Sequence, residues 1–448
     1  MGISLRALKR NKSQLYVGWS FSVVAVSMFL ISMTAHGQTE TSPKNLGLIT
    51  KDYILSNYLG SFKTDHTDAF SSTSYSQGRV AYHPERNSVF IDSHVYQLGV
   101  GEFRIPQVLS QSTDKSKLPD GEPIQNFVEV IDRTTTGNQD GIDRLGGMAI
   151  VNGDLFIQGY DTYDGNGDAK QTTMVVRTPS NLASSEIDGF YEMDGAARTV
   201  NYISPIPPAW QELLGGPYLA GNGGGMSISS RLSEGPSLYV FDPENVAGNQ
   251  WAVNTKEWMN YPFQNALSSS IWQDSTVSGS GDWDIANHTG KNDMWTVKST
   301  AAFAFIVPGT RTFMVIGSSG MHDSGGGYKI TNDAGFLCGG FCANDNEDYH
   351  SYFWLYDLNE ILAASTSHEV IPYSYGIFDD RWMEYNEQGG TGEVTGGSFD
   401  LQTGTLVLSH AAATKNHESG SPVISVYKIP VPNNNPPNPP SNITILQD

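Results

Sequence analysis

Cysteine is nearly absent from this chain: Cys338 and Cys342 are the only two in 448 residues. Basic residues are also scarce, with 26 Lys and Arg against 47 Asp and Glu and a formal net charge of −21 at pH 7. A surface of that sign repels a phosphate backbone, which argues against nucleic acid as a partner. It leaves room for a local basic cleft that holds an anionic ligand. Three catalytic signatures are missing: Gly-x-Ser-x-Gly, His-Glu-x-x-His and a phosphate-binding glycine loop. After Met33 no apolar run is long enough to cross a membrane, and helical periodicity is rare.

The start of the chain is different. Arg6, Lys9, Arg10 and Lys12 precede an apolar run from Val17 to Met33, and Ala35-His36-Gly37 offers small residues for cleavage. This is the layout of an export signal over residues 1–37, with an uncleaved anchor as the alternative. Its removal takes away four basic residues and no acidic ones, so the charge moves from −21 to −25. The expected product is a secreted chain, extracellular or periplasmic, that leaves the membrane and acts as a monomer.

What the rest of the chain has in quantity is glycine, at 47 residues, and aromatics, at 11%. Apolar runs meet at tight turns in four similar units. Val80-Ala81-Tyr82 and Val89-Phe90-Ile91 flank His83-Pro84-Glu85-Arg86-Asn87, and Met148-Ala149-Ile150 and Leu155-Phe156-Ile157 flank Asn152-Gly153. Residues 302–317 and 397–410 repeat the form around Pro308-Gly309 and Thr403-Gly404. Asn-Gly between apolar runs is hairpin chemistry. Imperfect repetition of such units predicts an all-β fold, a β-propeller, over residues 38–430. Blades of about 55 residues would make it seven-bladed. A β-sandwich is the alternative, but the span is large for one. Two short helices are expected, at 209–214 and 358–364. Residues 431–448 are Pro/Asn-rich and read as a flexible tail.

Several residues could carry chemistry. His94 follows the Phe90-Ile91 strand, where an imidazole serves either as a hydrogen-bonded structural group or as a general base. Tyr160 and Tyr163 follow Leu155-Phe156-Ile157 in the same way. Arg177 and Arg231 sit in strand-like runs in a chain poor in cations. Asp164-Gly165-Asn166-Gly167-Asp168 imitates the start of a calcium loop without its later ligands and reads as a turn. Cys338 and Cys342, flanked by His322 and His350, admit a disulfide or a four-ligand zinc site.

Tyr82 to Ile91, Pro207-Pro208-Ala209-Trp210-Gln211 with Gly215-Gly216-Pro217, Ser227 to Arg231, and Phe241-Asp242-Pro243 together resemble secreted seven-bladed propeller polysaccharide lyases, the ulvan lyases. The resemblance covers most of residues 75–430. It implies β-elimination on a sulfated, uronate-containing algal polysaccharide: loss of the C5 proton, cleavage at C4–O4 and an unsaturated uronate. No cofactor would be needed for catalysis. It implies a catalytic set of His94, Tyr160, Arg177 and Arg231, with Tyr163, His83 and Trp210 binding substrate. It also implies a structural metal, which adds weight to zinc at His322, Cys338, Cys342 and His350; calcium, at Asp164–Asp168, is the other option. The family's second histidine has no counterpart here, where the chain reads Ser110-Gln111-Ser112-Thr113-Asp114. Two rival functions fit the same fold: a glycoside hydrolase with paired carboxylates, and a non-catalytic propeller that binds glycans.

Overall fold

The computed structural model describes residues 42–227, 232–246, 251–270, 284–432 and 444–446. The export signal of residues 1–37 lies outside them, as does most of the tail. Among the described residues no helix is long and apolar enough to cross a membrane.

Five sheets, each built on four antiparallel strands, form a β-propeller. The first blade is Val80–His83, Ser88–Asp92, Gly99–Arg104 and Glu122–Glu129, counted from the inner strand outward. The second is Arg144–Val151, Asp154–Tyr160, Gln171–Val176 and Ile187–Met193, with Ala252–Val253 added in parallel at its edge. The third is Tyr202–Pro205, Tyr218–Gly221, Leu238–Phe241 and Lys256–Met259. The fourth is Thr300–Ile306, Thr312–Gly320, Tyr349–Asp357 and Ser374–Ile377. The fifth draws on both ends of the chain. Val394–Asp400, Thr405–His410 and Val423–Lys428 are completed by Tyr58–Lys63, which pairs with Val423–Lys428 and closes the ring. At its edge Val108–Ser110 follows, and Thr444–Leu446 from the tail runs parallel to it.

The count of five replaces the expected seven. Added length went into loops, not into further blades: residues 321–348 alone separate two neighbouring strands of the fourth blade. All four hairpin units are blade cores. The third blade escaped notice because the helix Pro208–Leu214 interrupts its first hairpin. That helix ends on Gly215, whose φ of 93° only glycine adopts readily. The second expected helix is Leu358–Ala363.

Apolar residues from adjoining blades fill each gap. Phe90, Leu145 and Ile157 pack between the first and second blades, and Phe156, Ile203 and Ala220 between the second and third. Phe303, Trp354, Leu406 and Leu408 pack where the fourth meets the fifth, and Phe62, Val80 and Val426 where the ring closes. The inner strands touch backbone to backbone. A Cβ on Gly147 would lie 2.5 Å from the Asn201 carbonyl oxygen, and one on Gly396 would lie 2.2 Å from that of Gly78. Only glycine fits such approaches.

Candidate functional site

Every inner strand starts at the same face of the ring. The loops that lead into the inner strands open there, as do those joining the second and third strands of each blade: residues 64–79, 93–98, 161–170, 222–227, 232–237, 321–348, 378–393 and 411–422 among them. This is called the entry face below. The turns at 84–87, 152–153 and 307–311 and the insertion at 206–217 lie at the other end of the inner strands.

A cavity of about 250 Å³ opens in the centre of the entry face. Gln77, Arg79, Tyr160, Asn201, Thr300 and Thr395 are among its lining residues, and no Asp or Glu is among those described. Arg79 is its one ionised side chain there. Its Nη1 donates to the Thr395 carbonyl at 3.0 Å, while its Nε is buried and has no partner. Asp92, at the end of the second strand of the first blade, holds this segment from behind. Its carboxylate accepts from the Ser76 hydroxyl at 2.7 Å, the Gln77 N–H at 2.9 Å and the Arg79 N–H at 2.7 Å. Complete burial pushes the Asp92 carboxyl above its usual range, against those hydrogen bonds. Gln77 Nε2 then donates to the Tyr160 phenol at 3.4 Å.

Beside the cavity, the 64–79 and 93–98 loops gather aromatic rings. His94 lies 5.2 Å from the Tyr75 ring and 5.8 Å from Tyr96, and Tyr75 lies 6.4 Å from His417. Tyr75 has φ of 60°, a left-handed conformation that a tyrosine holds only when its surroundings impose it. The Tyr96 N–H donates to His94 Nδ1 at 3.3 Å, which leaves the proton of the neutral ring on Nε2. Arg144 covers the Tyr96 ring at 4.8 Å. Tyr163 is 70% exposed and Tyr96 72%, so Tyr163 and the face of Tyr96 away from Arg144 are open to a ligand.

Three expected site residues therefore belong to this face: His94, Tyr160 and Tyr163. Arg231 lies outside the described residues. Three others belong elsewhere. Arg177 follows strand Gln171–Val176, and because Val176 pairs with Leu155 it sits beside Asp154, at the far end of the strand that ends in Tyr160. Seven residues of strand put the two about 20 Å apart. Its guanidinium is taken up by Asp154 at 2.8 Å and Asp188 at 2.5 Å. His83 ends an inner strand at the opposite face, buried against Phe90. Burial lowers its pKa. Trp210 is 1% exposed and donates from Nε1 to the Thr310 carbonyl, so it is core and not a sugar platform.

The cysteine cluster resolves into the disulfide: Cys338 and Cys342 are bonded at 2.08 Å. Two bonded sulfurs are not thiolate ligands, and the histidines look elsewhere. His322 bonds Ser319 at 2.7 Å and stacks on Tyr352, and His350 bonds Asp380 at 2.8 Å. Among the described residues no group of three or more His, Cys, Asp or Glu could hold a metal ion.

Arg79, Gln77, Tyr75 and His417 were missed from sequence. One signal was available. The residue immediately before each inner strand is Arg79, Asp143, Asn201, Ser299 or Glu393, a polar group in every blade. That register is visible only once all five inner strands are identified.

No family model matches the chain, and neither does any curated protein. Among solved structures it is similar to Saccharomyces cerevisiae Sqt1, at 10% identity over 84% of this chain and 99% of that one, with a TM-score of 0.27. A likeness at that level carries nothing about function.

Proposed function

We propose that the chain is an exported polysaccharide lyase, that it binds an anionic, uronate-containing polysaccharide across the entry face, and that it cleaves the polymer by β-elimination, as the resemblance to ulvan lyases implies. One observation carries this reading. In a chain of net charge −21, the described lining of the central cavity holds one charge, and that charge is the cation Arg79, beside the Tyr160 phenol.

The chemistry follows from those groups. The C5 proton of a uronate is weakly acidic because its carboxylate can take up the negative charge. A guanidinium bonded to that carboxylate stabilises the developing enolate. Arg79 supplies that guanidinium here, a role the resemblance leaves to Arg177 or Arg231. Tyr160, as phenolate, removes the C5 proton, and the electron pair forms C4=C5 as the C4–O4 bond breaks. The phenol so formed on Tyr160 returns its proton to the leaving O4, to which His94 donates a hydrogen bond from Nε2–H. The exposed rings of Tyr96 and Tyr163 hold neighbouring sugars. Hydrolysis fits less well, because it needs two carboxylates across the scissile bond and the described cavity lining has none.

The test is ultraviolet absorbance of the mature protein mixed with ulvan and, separately, with other uronate polymers. A rising signal from the conjugated double bond, lost in Arg79→Ala, is the expected result. A flat trace from folded protein that still binds polymer would leave a glycan-binding propeller. Release of saturated reducing ends would mean a hydrolase.

A further inference from the structure

A second recess lies on the entry face between the Cys338–Cys342 turn and the hairpin of Glu384–Asn386 with Gly389–Thr391. It measures about 370 Å³ and shares no lining residue with the central cavity. Lys298 and Glu393 both line it, and among the described residues neither forms an ion pair within 4.0 Å. The Lys298 ammonium lies 5.5 Å from the Tyr349 ring, and the Glu393 carboxylate has no hydrogen-bond partner among the described residues. Burial pushes the Glu393 carboxyl up to about 7, with Lys298 acting in the opposite direction. The partly exposed ring of Phe341 supplies an apolar face, Tyr349 is buried behind it, and Glu418 stands at the exposed rim. A Cβ on Gly339 would meet nothing within 4 Å, so the mouth is open.

An ammonium and a carboxylate that share a recess without touching suit a ligand that accepts from one and donates to the other. A hydroxyl does both, and two hydroxyls on adjacent carbons reach both groups at once. The C–H face of a sugar ring packs on an aromatic face, which the partly exposed Phe341 offers. Two carboxylates against one ammonium disfavour a uronate or a sulfated sugar. We propose that this groove is a separate binding site for a neutral saccharide residue, held through vicinal hydroxyls between Lys298 and Glu393. It does not depend on the chemistry assigned to the central cavity.

Saturation-transfer NMR on the full mature chain tests it, with laminarihexaose and xylohexaose as probes and oligogalacturonate and free glutamine as comparisons. Saturation of a neutral probe's ring protons is expected. Lys298→Ala and Glu393→Ala should each weaken its binding about tenfold, in line with loss of a charge-assisted hydrogen bond. Gly339→Trp, which leaves both charges in place, should abolish it, while Gly339→Ala should not change it. Arg79→Ala should also leave it unchanged, so failure of the lyase assignment would not register here. The inference is overturned if neither neutral probe is saturated, if Gly339→Trp binds like the parent, or if oligogalacturonate or glutamine displaces the neutral probe.

Discussion

The two ends of the inner strands are built for different tasks. At the turn end, arginines are consumed by carboxylates: Arg177 by Asp154 and Asp188, Arg311 by Asp357 at 3.0 Å, and Arg86 by Glu102 at 3.3 Å. Trp210 and His83 are packed away there. At the entry face, Arg79, Lys298 and Glu393 have no ion-pair partner among the described residues, Tyr75 is held in an unfavourable conformation, and Tyr96 and Tyr163 stand in solvent. The lesson is that an arginine in a cation-poor chain points to function when no carboxylate pairs with it directly.

Substitutions at the two ends should therefore separate stability from activity. The largest effect is expected from Trp210→Ala, which empties a buried indole site and should cost about 3–5 kcal/mol in denaturant unfolding. The folded fraction should still bind polymer. If binding is lost while stability holds, Trp210 belongs to the site after all.

Arg79→Ala and Tyr160→Phe should do the reverse. Elimination should fall roughly 100- to 1,000-fold, the range for removing one transition-state donor or one proton-transfer group. The melting temperature should move by only a few degrees. A drop in rate matched by Arg177→Ala would erase the distinction between the two ends.

A pH titration of stability sharpens it further. The Glu393 carboxyl titrates near 7 in the fold against its ordinary 4.5 in the unfolded chain. Between those values the folded chain holds the extra proton, so this group's stabilisation is complete below about 4.5 and is lost as pH rises through about 7. The span is at most about 3 kcal/mol. Glu393→Gln should flatten that part of the profile and raise stability at pH 8; an unchanged profile would mean the carboxylate is well solvated.

The smallest effect should come from Arg177→Ala, about 1–2 kcal/mol of stability, because the group is partly exposed and solvent screens its two pairs. The elimination rate per folded molecule should not change. A large loss of rate would return Arg177 to the site.

Much of this architecture was legible before any coordinates. The turns at Asn152-Gly153 and Thr403-Gly404, with alternating apolar residues on either side, specify hairpins through local backbone preference, and four blades follow. Gly215 marks the end of the Pro208–Leu214 helix for the same local reason. Blade number was not legible, because a loop such as 321–348 has a length comparable to a pair of strands and no local signal distinguishes the two. The candidate site was half legible. His94, Tyr160 and Tyr163 follow second-strand ends, and that rule carries a side chain to the entry face whatever the rest of the fold does. Arg177 enters the expected set through the resemblance, yet the third strand runs antiparallel to the second and delivers it to the other end.

The sequence by itself determined the hairpins, the aromatic and glycine-rich interior, the excess of negative charge and the identity of the residues that follow second-strand ends. These depend on neighbours in the chain. Only the tertiary structure decided that five inner strands meet closely enough to leave one central cavity. Only it decided that Arg79 enters that cavity without a direct ion pair while Arg177 is neutralised outside it, and that Lys298 and Glu393 share a groove without touching. Those outcomes depend on which strand ends the closed ring brings together, and ring closure joins Tyr58–Lys63 to Val423–Lys428 across nearly the whole chain.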